Sequence, residues 1–495
     1  MASLSDKAGF LIIANLIKYA VGFIMPMVLV RMLDRHDYGT YQQLNLIGTM
    51  GIAILVLGLP NSVYYFYERK NPPRDKVLTL QTSAVLLASG AATAVLLMIG
   101  TPVAVSVMKN ASMAPLLPWY AAGLGLLIAS EHFVQFMIAR DHYKTAVVVE
   151  TAETAVRVLI LVVPLLAGFG LMGLVIAQLG YALLRFAVRS AWLMGPLWPL
   201  RKPEGERWFS RSQLAYSIPL SLMSLVGLIG GFFDRGIVAT RFTPADYAIY
   251  SVGALEIPLD AIFQASVATV LRASMPALIR EGRHDEVRRL LREGVRKLSL
   301  IVLPCFVFLF AYAYDFITVL FTTEYAKSVP VFRIYLFLMP LNMFILSPVP
   351  PAYGRTKINF QVVACTTTIH AVLSIVLLHW IGFYGPAISA MVTSYMLSAF
   401  YFFYARRLTG GTIASLLPLG TFARVFSVGV VAAALCKLVI GEQSHSLLGL
   451  AIAGAMFTAT FGLGCVLAGV FTDSDKALAR RWLGRLGLSS GGTAG

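Results

Sequence analysis

Apolar residues in this chain come in runs of about twenty, and within a run they do not alternate with polar positions. The runs lie near 9–30, 43–66, 78–100, 116–139, 145–166, 171–193 and 213–237. They continue near 247–272, 298–320, 329–350, 358–380, 385–405, 419–441 and 446–470. A helix that crosses a bilayer needs roughly 20 mostly apolar residues. The pattern therefore predicts an all-α polytopic membrane protein with fourteen transmembrane helices. Barrel strands would be about ten residues of alternating polarity, which these runs are not. The first run has spanning length rather than that of the short apolar core of a cleavable signal peptide, so no cleavage is expected.

Composition agrees with the pattern. Of 495 residues, 58% are hydrophobic and only 13% charged, against about 25% charged in a soluble domain. This excludes a cytosolic enzyme, a disordered chain and a fibrous repeat. The net charge of +16 would suggest nucleic acid in a soluble protein, but its distribution gives another reason. An even number of spans puts both termini on one side. Loops on that side hold 26 of the 40 Lys and Arg residues, and the opposite loops hold five. Cytoplasmic loops carry the basic excess, so both termini are expected in the cytoplasm, with no nucleic acid as partner.

The outer loops are short, and the longest, about 101–115, contains no Cys, His or acidic residue. A membrane polymerase or glycosyltransferase needs an external domain for its chemistry, which argues against an enzyme of polysaccharide assembly. The seven histidines are scattered without HExxH spacing, and there is no GxxxxGK[ST] loop for ATP. Cys305, Cys365, Cys436 and Cys465 lie in apolar runs without CxxC spacing. No catalytic residues, metal site or cofactor are expected. The longest inner loop, about 274–297, places Leu278, Val287, Leu290, Leu291, Val295 and Leu298 at helical spacing, with arginines opposite. It reads as an amphipathic helix lying at the interface against anionic lipid.

The chain also repeats itself weakly. Asp37-Tyr38-Gly39-Thr40-Tyr41 after the first span matches Asp246-Tyr247-Ala248-Ile249-Tyr250 after the seventh, 209 residues on. Gly170 before the sixth span and Gly382 before the twelfth are 212 apart, and Lys144 and Lys357 are 213 apart. Three markers with nearly one offset predict two six-helix halves entering the membrane in the same orientation, a parallel repeat. The expected organisation is a six-helix bundle over 1–195, a cytoplasmic linker at 196–212 and a second bundle over 213–407. An appended helix pair at 408–472 and a cytoplasmic tail at 473–495 follow.

This arrangement resembles the multidrug/oligosaccharidyl-lipid/polysaccharide exporter superfamily. Val30-Arg31-Met32-Leu33 followed by Asp37-Tyr38-Gly39-Thr40-Tyr41 is similar to the corner after the first span of polysaccharide-type flippases, with Asp34 where Gly often stands. Phe233-Asp234-Arg235-Gly236-Ile237-Val238 resembles the family's ending of span seven, and Tyr353-Gly354-Arg355-Thr356 its turn before span eleven. The resemblance implies a Wzx-type flippase moving an undecaprenyl-pyrophosphate-linked oligosaccharide across the bacterial cytoplasmic membrane. It also implies a monomer working beside a polymerase and glycosyltransferases, with membrane lipids around it. A lipid II flippase and a multidrug or ion antiporter are the same-superfamily alternatives.

Charges within spans are expensive and mark candidate sites. Lys18, Arg157 and Arg185 read as cavity residues for an anionic head group. Glu131, Glu150, Glu153, Glu256 and Asp260 read either as ion-coupling groups or as halves of interhelical pairs, with Glu153 and Arg157 able to pair at i,i+4. Arg31, Asp37, Tyr38, Asp234, Arg235, Asp246 and Tyr247 belong to the corner motifs. Arg189, Arg272, Arg333, Arg424, Lys437 and Asp315 sit near span ends, where side chains snorkel to the interface. Gln42, Gln43, Asn45, Tyr64, Tyr65 and Tyr67 are candidates for meeting sugars by hydrogen bonds and stacking.

Overall fold

The computed structural model describes residues 4–56, 58–68, 73–195, 211–441, 445–472 and 475. Among them the chain is helical, with no strand. In chain order the helices begin with α1 (Leu4–Met32), α2 (Arg35–Leu55), α3 (Leu59–Glu68), α4 (Pro73–Ile99), α5 (Thr101–Met108), α6 (Leu117–Ala129) and α7 (Phe133–Ala139). Next come α8 (Tyr143–Leu166), α9 (Gly170–Met194), α10 (Arg211–Arg241), α11 (Pro244–Gly253), α12 (Pro258–Arg280), α13 (His284–Ala311) and α14 (Ala313–Phe321). The last are α15 (Val329–Leu336), α16 (Val349–Ala352), α17 (Thr356–Ile381), α18 (Gly385–Thr409), α19 (Ile413–Leu416), α20 (Leu419–Ile440) and α21 (Leu447–Leu467).

Eight stretches of the described residues are long and apolar enough to cross a bilayer: Arg35–Tyr67, Lys76–Ile99, Leu117–Ala139, Gly170–Met194, His284–Ala311, Lys357–Thr409, Leu419–Ile440 and Leu447–Leu467. The protein is thus a helical, multi-pass membrane protein. Other predicted spans are helical but interrupted or charged. Helix α8 carries Glu150, Glu153 and Arg157 in its body. The predicted span at 329–350 is not one helix. It breaks into α15, a 3-10 segment at Met339–Met343 and α16. Pro340, Pro348, Pro350 and Pro351 each remove a backbone donor there. Irregular backbone is tolerated in a membrane where protein covers it, and Met339, Met343, Ile345 and Leu346 are buried.

The interfacial amphipathic helix expected at 274–297 is not a separate element. Helix α12 runs to Arg280, the chain turns, and α13 starts at His284 and continues without a break into the next apolar span. Its apolar face is covered by protein rather than lipid. Val287, Leu291 and Leu298 share a core with Leu271, Met275, Leu346, Val349 and Leu416. The periodicity was read correctly as one apolar face, but periodicity does not say whether lipid or protein lies against that face.

The described chain falls into two compact units, Met1–Pro258 with Phe360–Thr393, and Leu259–Asn359 with Ser394–Gly495. In the first, α4 and α6 approach at Gly90 and Gly125, where a Cβ on Gly90 would lie 2.2 Å from the Gly125 carbonyl oxygen. Small residues of this kind let membrane helices meet backbone to backbone. In the same unit Val63, Phe66, Leu78, Phe133, Phe136, Met137 and Leu193 form a core.

The two repeat corners have the same local chemistry. Asp34 caps α2 by accepting the Asp37 N–H at 2.7 Å. Thr243 caps α11 by accepting the Asp246 N–H at 3.2 Å. Each cap satisfies an orphan donor, and the Asp three residues on lies at the positive end of the helix dipole. The following tyrosines, Tyr38 and Tyr247, are buried, and α2 packs against α11.

Candidate functional site

Three acid–base pairs lie among α1, α6, α7, α8 and α9. Lys18 Nζ of α1 donates to Glu150 Oε1 of α8 at 2.6 Å. Arg185 Nη2 of α9 donates to Glu131 Oε2 at 2.6 Å. Arg189 makes a fork with Glu153, Nε to Oε1 at 3.0 Å and Nη2 to Oε2 at 2.7 Å.

A helix break explains the middle of this cluster. Between α6 and α7 the chain leaves helical geometry at residues 130–132, which frees carbonyls that the ladder would have used. Arg189 Nη1 takes the Ser130 carbonyl at 3.0 Å, and its guanidinium lies 5.3 Å from the centre of the Phe133 ring. Arg189 therefore fastens α6, α7, α8 and α9 together. Its side chain is 5% exposed, so its role is structural, through an enclosed pair and not by snorkelling to the interface. A carboxylate and an orphan carbonyl within reach remove the reason to seek water.

The predicted i,i+4 pair of Glu153 and Arg157 does not form. Glu153 is held by the Arg189 fork, whose two parallel hydrogen bonds lie in a buried site and prevail over an exposed i,i+4 pair. Arg157 is exposed. Its recorded neighbour is the Tyr181 ring, 5.9 Å from the guanidinium carbon, and no carboxylate lies within ion-pair distance of it among the described residues. Of the three cations predicted for a cavity, Arg185 is paired through Nη2, with its buried Nε left without a partner and its side chain 13% exposed, and Lys18 is paired but 42% exposed. Arg157 is without a carboxylate.

The corner residues have structural roles in this state. Arg31 Nη1 donates to the Met27 carbonyl at 2.7 Å, at the end of its own helix. Asp234 and Arg235 do not end α10, which runs on to Arg241. Asp234 is buried and accepts the Tyr250 hydroxyl at 3.2 Å. Arg235 donates to the Ala254 carbonyl at 2.9 Å and to Glu256 at 3.2 Å. Glu150 and Glu153 thus stand in interhelical pairs, while Glu131 in the α6–α7 break and Glu256 in the link before α12 pair a helix with a connection, the Glu256 side chain being 86% exposed. The Asp260 side chain lies outside the described residues.

Of the residues considered for sugar contact, Gln43 is withdrawn. It is buried, bonding the Ala239 carbonyl at 2.8 Å and Met108 at 3.2 Å while accepting from Asn110 at 2.8 Å. Gln42 donates to the Tyr38 hydroxyl at 2.6 Å. Tyr64 is 39% exposed. Tyr65 stacks on Tyr216 of α10, ring centres 4.5 Å apart and 11° from parallel. Tyr216 was not singled out in the sequence, where it is one more aromatic near a span end. His370 was likewise passed over, yet it is buried and lies 3.0 Å from the Ser389 hydroxyl and 3.3 Å from that of Thr393.

With this geometry in view, known proteins place the chain. No curated protein matches its sequence. By structure it is similar to the lipid II flippase MurJ in an inward closed conformation, with a TM-score of 0.65 at 12% identity, covering 92% of this chain and 97% of that one. It is similar to an inward-facing multidrug resistance MATE family transporter of the MOP superfamily, with a TM-score of 0.65 at 15% identity, covering 80% and 94%. A MOP superfamily transporter from Pyrococcus furiosus, described as having a binding pocket of reverse polarity, matches with a TM-score of 0.57 at 13% identity over 81% and 94%. At these identities the likeness concerns the fold. A family model for the lipid II flippase MurJ matches residues 237–452. A model for polysaccharide biosynthesis proteins matches residues 28–330, more than half of the sequence, and the chain belongs to the polysaccharide biosynthesis protein family.

Proposed function

We propose that this protein is a flippase that carries an undecaprenyl-pyrophosphate-linked oligosaccharide across the cytoplasmic membrane by alternating access. In this reading fourteen helices form two parallel six-helix halves and an appended pair, with both termini in the cytoplasm. Apolar runs, repeat offsets and the basic cytoplasmic collar support that arrangement. A pyrophosphate head group cannot cross hydrocarbon unaided, because moving its charge out of water is prohibitively costly. Fixed cations in a water-filled path offset that cost.

One observation carries the reading. Glu131, Glu150 and Glu153 are matched by Arg185, Lys18 and Arg189, which leaves Arg157 as a surplus exposed cation. A cation antiporter would need the opposite surplus. A lipid II flippase is a second reading, favoured by the MurJ family match over 237–452, and it shares the pyrophosphate chemistry. Reconstitution into liposomes separates them. The proposal expects flipping of a pyrophosphate-linked polysaccharide repeat unit and none of a cationic drug. Flipping of lipid II alone would select the second reading, and drug transport alone would overturn both.

A further inference from the structure

The three ion pairs differ in how easily an anion could exchange into them. Arg189 holds Glu153 by a fork, adds the Ser130 carbonyl, and is closed off from solvent. Arg185 is nearly as enclosed. Lys18 uses a point-charge ammonium with a single recorded contact to Glu150, and 42% of its side chain is exposed. An ammonium is less geometrically committed than a guanidinium fork and exchanges partners more readily. The pair is also a polar link between α1 and α8, which pack against each other.

Resting on the anionic-substrate reading above, we propose that Lys18–Glu150 is a displaceable latch. Glu150 occupies Lys18 while the site is empty, and the pyrophosphate of the arriving lipid takes its place, releasing α1 from α8. A pyrophosphate carries more charge and more acceptor oxygens than a carboxylate, so it competes well for one ammonium. The Glu150 side chain is 14% exposed, so it is not sealed off from water. Glu150 acts here as an internal competitor, tuning how tightly the head group is held.

The test is counter-intuitive in sign: removing a negative charge should tighten anion binding only if that charge competes. Farnesyl pyrophosphate binding is measured on the full chain in nanodiscs, with farnesol as the uncharged control. Glu150→Gln is expected to tighten farnesyl pyrophosphate about three- to fivefold, the range of a partly exposed ion pair, and to leave farnesol unchanged. Lys18→Ala, and Lys18→Ala combined with Glu150→Gln, should both bind weakly, since the released cation is then gone. Glu150→Ala checks that any change follows the charge and not the amide. If Glu150→Gln binds as wild type does while Arg157→Ala binds weakly, the latch is overturned and the anionic reading stands. If Lys18→Ala, Arg157→Ala and Glu150→Gln all bind as wild type does, both are overturned.

Discussion

Arg189 holds both carboxylate oxygens of Glu153, at 3.0 and 2.7 Å, across 36 residues of sequence. The pair is buried, and the same guanidinium ties down the carbonyl freed by the α6–α7 break. Breaking one partner of such a pair leaves an uncompensated buried charge, at a cost of about 3–5 kcal/mol. Glu153→Gln and Arg189→Met should each lower the melting temperature and yield of the purified protein sharply. Arg189→Met combined with Glu153→Leu should recover most of the loss. Equal stability of Glu153→Gln and wild type would remove the staple role.

The two repeat corners meet where Gly39 faces Pro244. A Cβ added at Gly39 would lie 1.7 Å from the Pro244 carbonyl oxygen, a backbone atom that no rotamer change can move. Gly39→Ala should force α2 and α11 apart and cost about 1–3 kcal/mol as an overpacking defect. The corresponding residue of the second corner, Ala248, already carries a Cβ. Thermal unfolding of Gly39→Ala at wild-type stability would show that the corners are not in close contact.

A fork of the same kind fixes the start of the C-terminal tail. Arg296 donates to Asp475 by Nη1 at 2.8 Å and Nη2 at 2.9 Å, and the Thr472 N–H donates to it at 2.9 Å. Those bonds, Arg296 first, hold the Asp475 carboxyl well below its ordinary value of 3.8. A depressed carboxylate contributes stability that is fully present above its unfolded value and lost as pH falls through the folded one. The contact should therefore persist unchanged through pH 5–8 and fail only in strong acid. Protection of the Thr472 amide from exchange should hold steady over that neutral range and should fall in Asp475→Asn at pH 7. Protection of Thr472 that is lost between pH 7 and pH 5 in the wild type would contradict this.

Topology has its own check. A reporter fused after Arg283 is expected to read cytoplasmic and one after Asn110 periplasmic. The reverse result would overturn the orientation drawn from the basic loops.

How much of this was legible in the sequence followed the range of the interactions. The corners stand out in the sequence because Asp37-Tyr38 and Asp246-Tyr247 open the same short motif, whereas the caps from Asp34 and Thr243, though only i,i+3 contacts, lie outside that motif. The break at residues 130–132 could not, because hydropathy averaged over a span is blind to one lost hydrogen bond. The charged residues within spans are plain in the sequence, but their pairing is not. Lys18 and Glu150 are 132 residues apart, and Arg185 and Glu131 are 54 apart, so only packing selects the partner. The same limit hid the Tyr65–Tyr216 stack and sent Arg189 to the interface.

The anionic path is tested most directly at Arg157. The measurement is the rate at which purified protein in proteoliposomes flips a pyrophosphate-linked oligosaccharide lipid. Arg157→Ala should lower that rate by about tenfold or more, the scale of one lost charge-assisted contact, while Arg157→Lys keeps a substantial part of it and both variants insert normally. Flipping by Arg157→Ala at the wild-type rate would contradict the claim that this unpaired cation carries the head group.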